Sequence, residues 1–279
     1  MTRERVTVPA IRSSKVISGH EPISMITAYD YPSAKMVDQS GADIILVGDS
    51  LAMVVLGHKD TLNLTLEDMV YHTRAVIASD PRALVIVDMP WMTYHTSENE
   101  AIVNASKLIR AGASAVKLEG GSKRCNVIRA LCNAEIPVMG HIGLTPQSIR
   151  ELGGFKVQAR TDRAADQLIT DALALQEAGV FSIVLEAIPE LVARRVTGLV
   201  EVPTIGIGAG AGCDGQVLVF HDILGFNKAN RAKFVKTYGD IESLGIEALS
   251  QFVKDVKTQQ FPTRDHVYQG SSTQHHSAI

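Results

Sequence analysis

The sequence predicts an α/β fold on parallel strands, and among such folds a TIM (β/α)8 barrel. Two observations carry this. Four apolar runs end in an acid: DIILVGD at residues 43–49, LVIVD at 84–88, AVKLE at 115–119 and SIVLE at 182–186. Runs that are apolar on both faces read as strands buried on both sides, as in a parallel sheet covered by helices. Three of the runs also follow a small residue, a glycine and a third residue (Ser40-Gly41-Ala42, Ala111-Gly112-Ala113, Ala178-Gly179-Val180). That is the punctuation of a helix stopping and the chain turning into a strand.

Residues 1–21 form a polar lead-in, and ISMITA at 23–28 is a first strand closed by Tyr29-Asp30, which adds Asp30 as a fifth strand-end acid. Between strands, residues 65–78 place Met69, Val70, Thr73, Val76 and Ile77 on one helical face. Ser97 with Glu100 has the spacing of a capping box ahead of Ile102, Ala105, Leu108 and Ile109. Residues 162–176 repeat the pattern with Ala165, Leu168, Ile169, Ala172 and Leu173 inward. Further strands are expected at 136–140, 202–207 and 216–220, giving eight in all. Eight strands interleaved with helices over roughly 250 residues have the dimensions of the barrel, although a doubly wound sheet shows much the same periodicity. Residues 1–261 are read as one barrel domain, and 262–279 as a polar, mobile tail with too few apolar residues to offset ordering entropy.

Composition narrows the function. With 279 residues, 46% hydrophobic and 20% charged, the chain can bury a large core. A net charge of −3 with scattered basic residues leaves no footprint for nucleic acid. No apolar run approaches the roughly 20 residues of a membrane span. Three cysteines without paired metal spacing suit a reducing, cytoplasmic setting.

Asp49, Asp88, Glu119 and Glu186 crowded at one barrel mouth would resist joint ionisation unless a cation sat among them. Oxygen donors without cysteine pairs favour a hard ion such as Mg²⁺. Any single strand-end acid can instead cap a helix or pair with arginine. Lys117, two residues before Glu119, shares its side of the strand, which makes it a candidate for holding a substrate carboxylate. Neutralising the acids and Schiff-base chemistry are the other roles open to it. Gly206 to Gly212 could cradle an anion or simply form a tight turn. His141 is a candidate for supporting these groups through a hydrogen bond.

The motifs ITAYDY (26 to 31), LVGDSLAMVVLGH (46 to 58), VKLEGG (116 to 121), GHIGLTPQ (140 to 147), GGFKVQAR (153 to 160), IGIGAG (205 to 210) and DGQVLVFHD (214 to 222) resemble those of the ketopantoate hydroxymethyltransferase family. The resemblance runs in order over residues 24–226. It implies a barrel of the phosphoenolpyruvate/isocitrate lyase-like type. It further implies a Mg²⁺-dependent enzyme that moves a one-carbon unit from 5,10-methylenetetrahydrofolate onto 3-methyl-2-oxobutanoate through a Mg-stabilised enolate, giving ketopantoate for pantothenate and coenzyme A synthesis. By the family pattern Asp49, Asp88 and Glu119 surround the metal; Asp49, Ser50, Asp88 and Lys117 contact the oxo acid; and Glu186 is the general base. Cytoplasmic homodecamers are the family's usual form. The chain departs from the pattern after Phe261 and around residues 223–232. A Mg²⁺-dependent lyase or aldolase on the same barrel, and a binding protein that keeps the site without turnover, are the competing readings.

Overall fold

The computed structural model describes residues 4–226 and 232–269. Its centre is a closed parallel barrel whose strands pair in sequence order and whose eighth pairs with the first. The strands are β1 Ile23–Thr27, β2 Ile44–Val47, β3 Leu84–Asp88, β4 Ala115–Glu119, β5 Val138–Gly143, β6 Ser182–Glu186, β7 Thr204–Ile207 and β8 Gly215–Leu218. The helices are α1 Val8–Ser13, α2 Tyr31–Gln39, α3 Leu51–Val54, α4 Leu66–Ile77, α5 Glu98–Arg110, α6 Cys125–Asn133, α7 Ile149–Leu152, α8 Asp162–Ala178, α9 Glu190–Leu199, α10 Phe220–Leu224 and α11 Ile241–Lys257.

Side chains alternate between two cores, as strand geometry requires. Met25, Ile44, Leu46, Leu84, Ile86, Met139, Val184 and Ile205 fill the barrel interior. Ile45, Val47, Val85, Val87, Val116, Leu118, Ile183 and Leu185 point outward and pack in the second core together with Met69, Leu108, Leu131 and Ala172 of the outer helices. The glycines at the helix-to-strand turns, Gly41, Gly112 and Gly179, all have positive φ, as the sequence pattern demands.

Several boundaries moved for local reasons. β5 starts after Pro137, which lacks the N–H a ladder needs, and runs on to Gly143. β7 likewise begins after Pro203, and Phe220 opens α10 instead of ending β8. The expected capping box at Ser97 is half formed: Ser97 accepts from the Glu100 N–H, but the Glu100 carboxylate takes the Thr96 hydroxyl. Asp30 is a capping residue for α2, in a reciprocal box with Ser33, and takes no place among the inward acids.

The lead-in has more structure than its polarity suggests. Ile11 of α1 is buried in the interior core, and the Lys15 ammonium lies 3.1 Å from Asp214 and donates to the carbonyls of Thr197, Val200 and Val202. These groups sit just before β7 and β8, so the segment plugs the amino-terminal end of the barrel. α11 contrasts with it. None of its residues is buried, and Leu244, Ile246, Leu249, Phe252, Val253 and Val256 are exposed. Residues 262–269 of the expected tail are exposed and contain one short 3-10 turn, Arg264–His266. Residues 270–279, with His275 and His276, and residues 227–231 lie outside the described residues.

Candidate active site

Strand parity delivers the acids to one place. Asp88 follows Ile86 at the same inward parity; Lys117 and Glu119 follow Ala115; His141 follows Met139; Glu186 follows Val184. In the ladder Asp88 pairs with Lys117 and Glu119 with His141, so the carboxyl ends of β3, β4 and β5 present their polar residues side by side. Asp49 stands just past β2, in the turn into α3, and its backbone N–H donates to Asp88 Oδ2 at 3.0 Å. Among barrels of this kind the carboxyl-terminal mouth is where catalytic groups gather.

The buried charges are closely compensated. Lys117 Nζ lies 2.8 Å from Asp88 Oδ1 and 3.2 Å from His141 Nδ1. His141 Nδ1 is 3.4 Å from Glu119 Oε1, and its Nε2 is 3.2 Å from Glu186 Oε2. The imidazole thus lies between two carboxylates. Gln147 joins the opposite side: its N–H donates to Glu119 Oε2 at 3.0 Å and its Nε2 to Asp49 Oδ2 at 2.9 Å. Ser50 shares a 2.8 Å hydrogen bond with the Tyr29 hydroxyl at the edge of the cluster.

These surroundings set the protonation states. Burial pushes the Asp49 carboxyl well above its ordinary value, and the charges of Asp88 and Glu119 push it further. For Glu119 burial acts in the same direction, but His141 and Lys117 outweigh it and hold the carboxyl low. Burial works against the Lys117 ammonium, yet Asp88, Glu119 and Asp49 keep it charged. Burial and Lys117 oppose charge on His141, but the bonds to Glu119 and Glu186 prevail and raise it to about 9. A lysine held charged by its neighbours is a poor amine nucleophile, which argues against the Schiff-base role.

Asp88 Oδ1 and Glu119 Oε1 are buried and receive no well-aligned hydrogen bond, despite their near cations. They are the atoms a hard cation would take. Among the described residues no group of three or more His, Cys, Asp or Glu side chains is placed to hold a metal ion by itself. Two buried carboxylate oxygens without an aligned hydrogen bond fit an ion that takes one or two carboxylates and fills its shell with water and substrate oxygens, as Mg²⁺ does.

Two side chains in this network, Tyr94 and Gln147, carried no role in the sequence reading. The only signal for Gln147 was its place in GHIGLTPQ, directly after a strand. The glycine-rich segment after β7 follows its structural reading: a Cβ at Gly210 would meet Glu190, and one at Gly212 would meet Arg194, both on α9. His72 Nδ1 bonds the Tyr29 carbonyl at 2.6 Å, supporting the first βα turn.

The family model for ketopantoate hydroxymethyltransferase matches residues 5–264. The 3-methyl-2-oxobutanoate hydroxymethyltransferase of Moorella thermoacetica is 50% identical over 267 residues, covering 95% of this chain and 98% of that protein. The protein of the same name from Nitratidesulfovibrio vulgaris is 52% identical over 264 residues, covering 94% and 85%. Among solved structures, a phosphonopyruvate hydrolase complexed with oxalate and Mg²⁺ superposes with a TM-score of 0.60 at 13% identity, over 95% of this chain and 92% of that one. A 2,3-dimethylmalate lyase of the PEP mutase/isocitrate lyase superfamily gives 0.57 at 17%, over 98% and 92%. The two structures share the fold with this chain; the sequence match goes further, and the chain belongs to the ketopantoate hydroxymethyltransferase family.

Proposed function

We propose that this chain transfers a hydroxymethyl group from 5,10-methylenetetrahydrofolate to 3-methyl-2-oxobutanoate, giving ketopantoate for pantothenate and coenzyme A synthesis. The observation that carries the reading is the inward cluster at the barrel mouth, in which Lys117 and His141 lie among Asp88, Glu119 and Glu186. Relatives at half identity bear the name of that reaction.

In this reading Asp49, Asp88 and Glu119 hold Mg²⁺, directly or through water. Bound there, the ion supplies Lewis acidity to the 2-oxo acid, lowering the cost of losing its C3 proton. Lys117 meets the substrate carboxylate with a charge that its buried neighbours maintain, and Asp49, Ser50 and Asp88 orient the oxo acid beside it. Glu186 is the general base. Its carboxylate, backed by His141, takes the C3 proton and leaves an enolate. The enolate carbon bonds to the one-carbon unit as both bonds from that unit to the folate nitrogens break, and water supplies the hydroxyl oxygen. The C3 proton and one proton of that water end on the two nitrogens of the departing tetrahydrofolate. Holding both substrates in line accounts for much of the acceleration in such a step. The neighbouring acids do not compete for the role, since Glu119 also accepts the Gln147 N–H and, with Asp49 and Asp88, would be taken up by the ion.

A cytoplasmic setting accords with three free cysteines; among the described residues no helix is long and apolar enough to cross a membrane. Self-association, and by family likeness a homodecamer, accords with the apolar side chains that α11 leaves uncovered.

The test follows 3-methyl-2-oxobutanoate in D₂O with Mg²⁺, with and without the folate donor. Deuterium should enter C3 without folate, and ketopantoate should form only with it. In Glu186→Gln, exchange should fall by about 10²-fold or more while the oxo acid still binds. Undiminished exchange in that variant removes Glu186 as base, and exchange without folate-dependent product would point to a lyase instead.

A further inference from the structure

Gln147 sits in the short turn after β5, is only 4% exposed, and spends every polar atom of its side chain on the acid cluster or its support. Its Nε2 donates to Asp49 Oδ2 at 2.9 Å and to the Met89 carbonyl at 3.0 Å, while Oε1 accepts from the Tyr94 hydroxyl at 2.6 Å. The Tyr94 oxygen in turn accepts the Glu119 backbone N–H at 3.2 Å.

Proton counting fixes the direction of this chain. A phenol has a single proton, and its acceptors here are Gln147 Oε1 at 2.6 Å and the far weaker Glu119 carbonyl at 3.5 Å. The proton therefore goes to Gln147, the amide oxygen faces Tyr94, and the NH₂ is turned onto the Asp49 carboxylate. The backbone N–H of the same glutamine fixes Glu119 Oε2 at 3.0 Å. One oxygen of each acid is pinned in this way, with Asp88 Oδ2 held by the Asp49 N–H. Glu119 Oε1 and Asp88 Oδ1 are left without an aligned donor.

We propose that Gln147, oriented by Tyr94, is a positioning residue that turns the Asp49 and Glu119 carboxylates so that one oxygen of each faces a divalent cation and the oxo acid. This rests on the metal-dependent reading of the site. Its role is to fix which oxygen each acid offers, before any ligand arrives. Without its side-chain amide, the Asp49 carboxylate would be free to turn.

The experiment compares wild type, Gln147→Met and Tyr94→Phe. Methionine keeps the length of the side chain and removes its polar atoms; phenylalanine removes only the hydroxyl. Mn²⁺ binding, followed by electron paramagnetic resonance on metal-stripped protein, should weaken by about 10- to 100-fold in Gln147→Met, the range for lost supporting contacts around a metal. Tyr94→Phe should weaken it less, and the double variant should be no weaker than Gln147→Met, because Tyr94 acts through the amide. Crystal structures of the metal-free proteins should show Asp49 turned in Gln147→Met, with Glu119 still held by the backbone N–H of residue 147. Unchanged Mn²⁺ affinity in folded Gln147→Met, or an Asp49 carboxylate that keeps its wild-type position, overturns the proposal. If wild type itself takes up no Mn²⁺, the metal-dependent reading fails, and the metal-free structures still decide the positioning role. Should Gln147→Met not fold, Tyr94→Phe decides: a wild-type amide orientation and Mn²⁺ affinity in that variant overturn it.

Discussion

His141 Nε2 lies 3.2 Å from Glu186 Oε2, and the same ring presents Nδ1 to Glu119 Oε1 at 3.4 Å. A buried imidazole held between two carboxylates couples the proposed base on β6 to the acid cluster on β4. His141→Asn keeps one donor and loses the other, together with the ring's charge. Deuterium exchange at C3 of the oxo acid should then drop by roughly tenfold to a hundredfold, less than for loss of the base itself, since positioning is worth less than the proton acceptor. Exchange at the wild-type rate would mean that Glu186 is held by its strand alone.

The same ring gives the metal-free protein a pH dependence. Its charge is stabilised in the fold, with a value raised to about 9 against an ordinary 6.5. A raised folded value means stability that is complete below about 6.5 and lost as pH climbs through about 9. Asp49, raised by burial and by Asp88 and Glu119, acts with the same sign, while the depressed Glu119 carboxyl costs stability only on acidification below its ordinary range. Thermal unfolding in chelator should therefore show Tm falling by a few degrees between pH 6.5 and 9, and His141→Asn should flatten that slope. A Tm that holds constant across this window in the wild type would contradict the assignment of charge to His141.

The barrel and its acids were legible in the sequence because a strand repeats every two residues. Once Leu84 and Ile86 point inward, Asp88 must as well, and the same parity carries Ala115 to Lys117 and Glu119. Residues whose role depends on contact between distant loops left no such mark. Tyr94 and Gln147 meet 53 positions apart, and Lys15 meets the Val202 carbonyl 187 positions away, distances that only barrel closure shortens. Asp30 resembled the functional acids because a strand-end acid and a helix cap occupy the same place in a βα unit, and only its hydrogen bonds to Ser33 separate the two. In α11 the apolar spacing of Leu244, Leu249, Phe252 and Val256 was there to read, but among the described residues nothing buries that face.

Gly143 is a second point where backbone geometry reaches the base. Its φ is 97°, and a Cβ there would lie 2.3 Å from the carbonyl oxygen of Glu186, its ladder partner. Gly143→Ala should destabilise the protein by about 2 kcal/mol, from the strained conformation and the displaced strand together. Because the displacement falls on Glu186 itself, C3 exchange measured on the folded fraction should fall too. Chemical denaturation with a wild-type midpoint would show that the turn adapts without moving β6.

A buried ion pair holds the far end of the barrel. Lys15 reaches Asp214 at 3.1 Å with both side chains nearly buried, and Asp214 also takes the N–H groups of Val16 and Thr204. Removing the ammonium leaves a buried carboxylate without its counter-charge and three carbonyls without their donor. Lys15→Met should therefore cost about 3–5 kcal/mol, the usual penalty for stranding one member of a buried pair. The double variant Lys15→Met with Asp214→Asn should recover part of that loss, because the stranded charge is gone. Neither residue touches the mouth where Asp88, Glu119 and Glu186 lie, so the folded fraction should keep wild-type C3 exchange at 25 °C. A double variant as unstable as Lys15→Met would show that the carbonyl contacts, and not the ion pair, hold the plug in place.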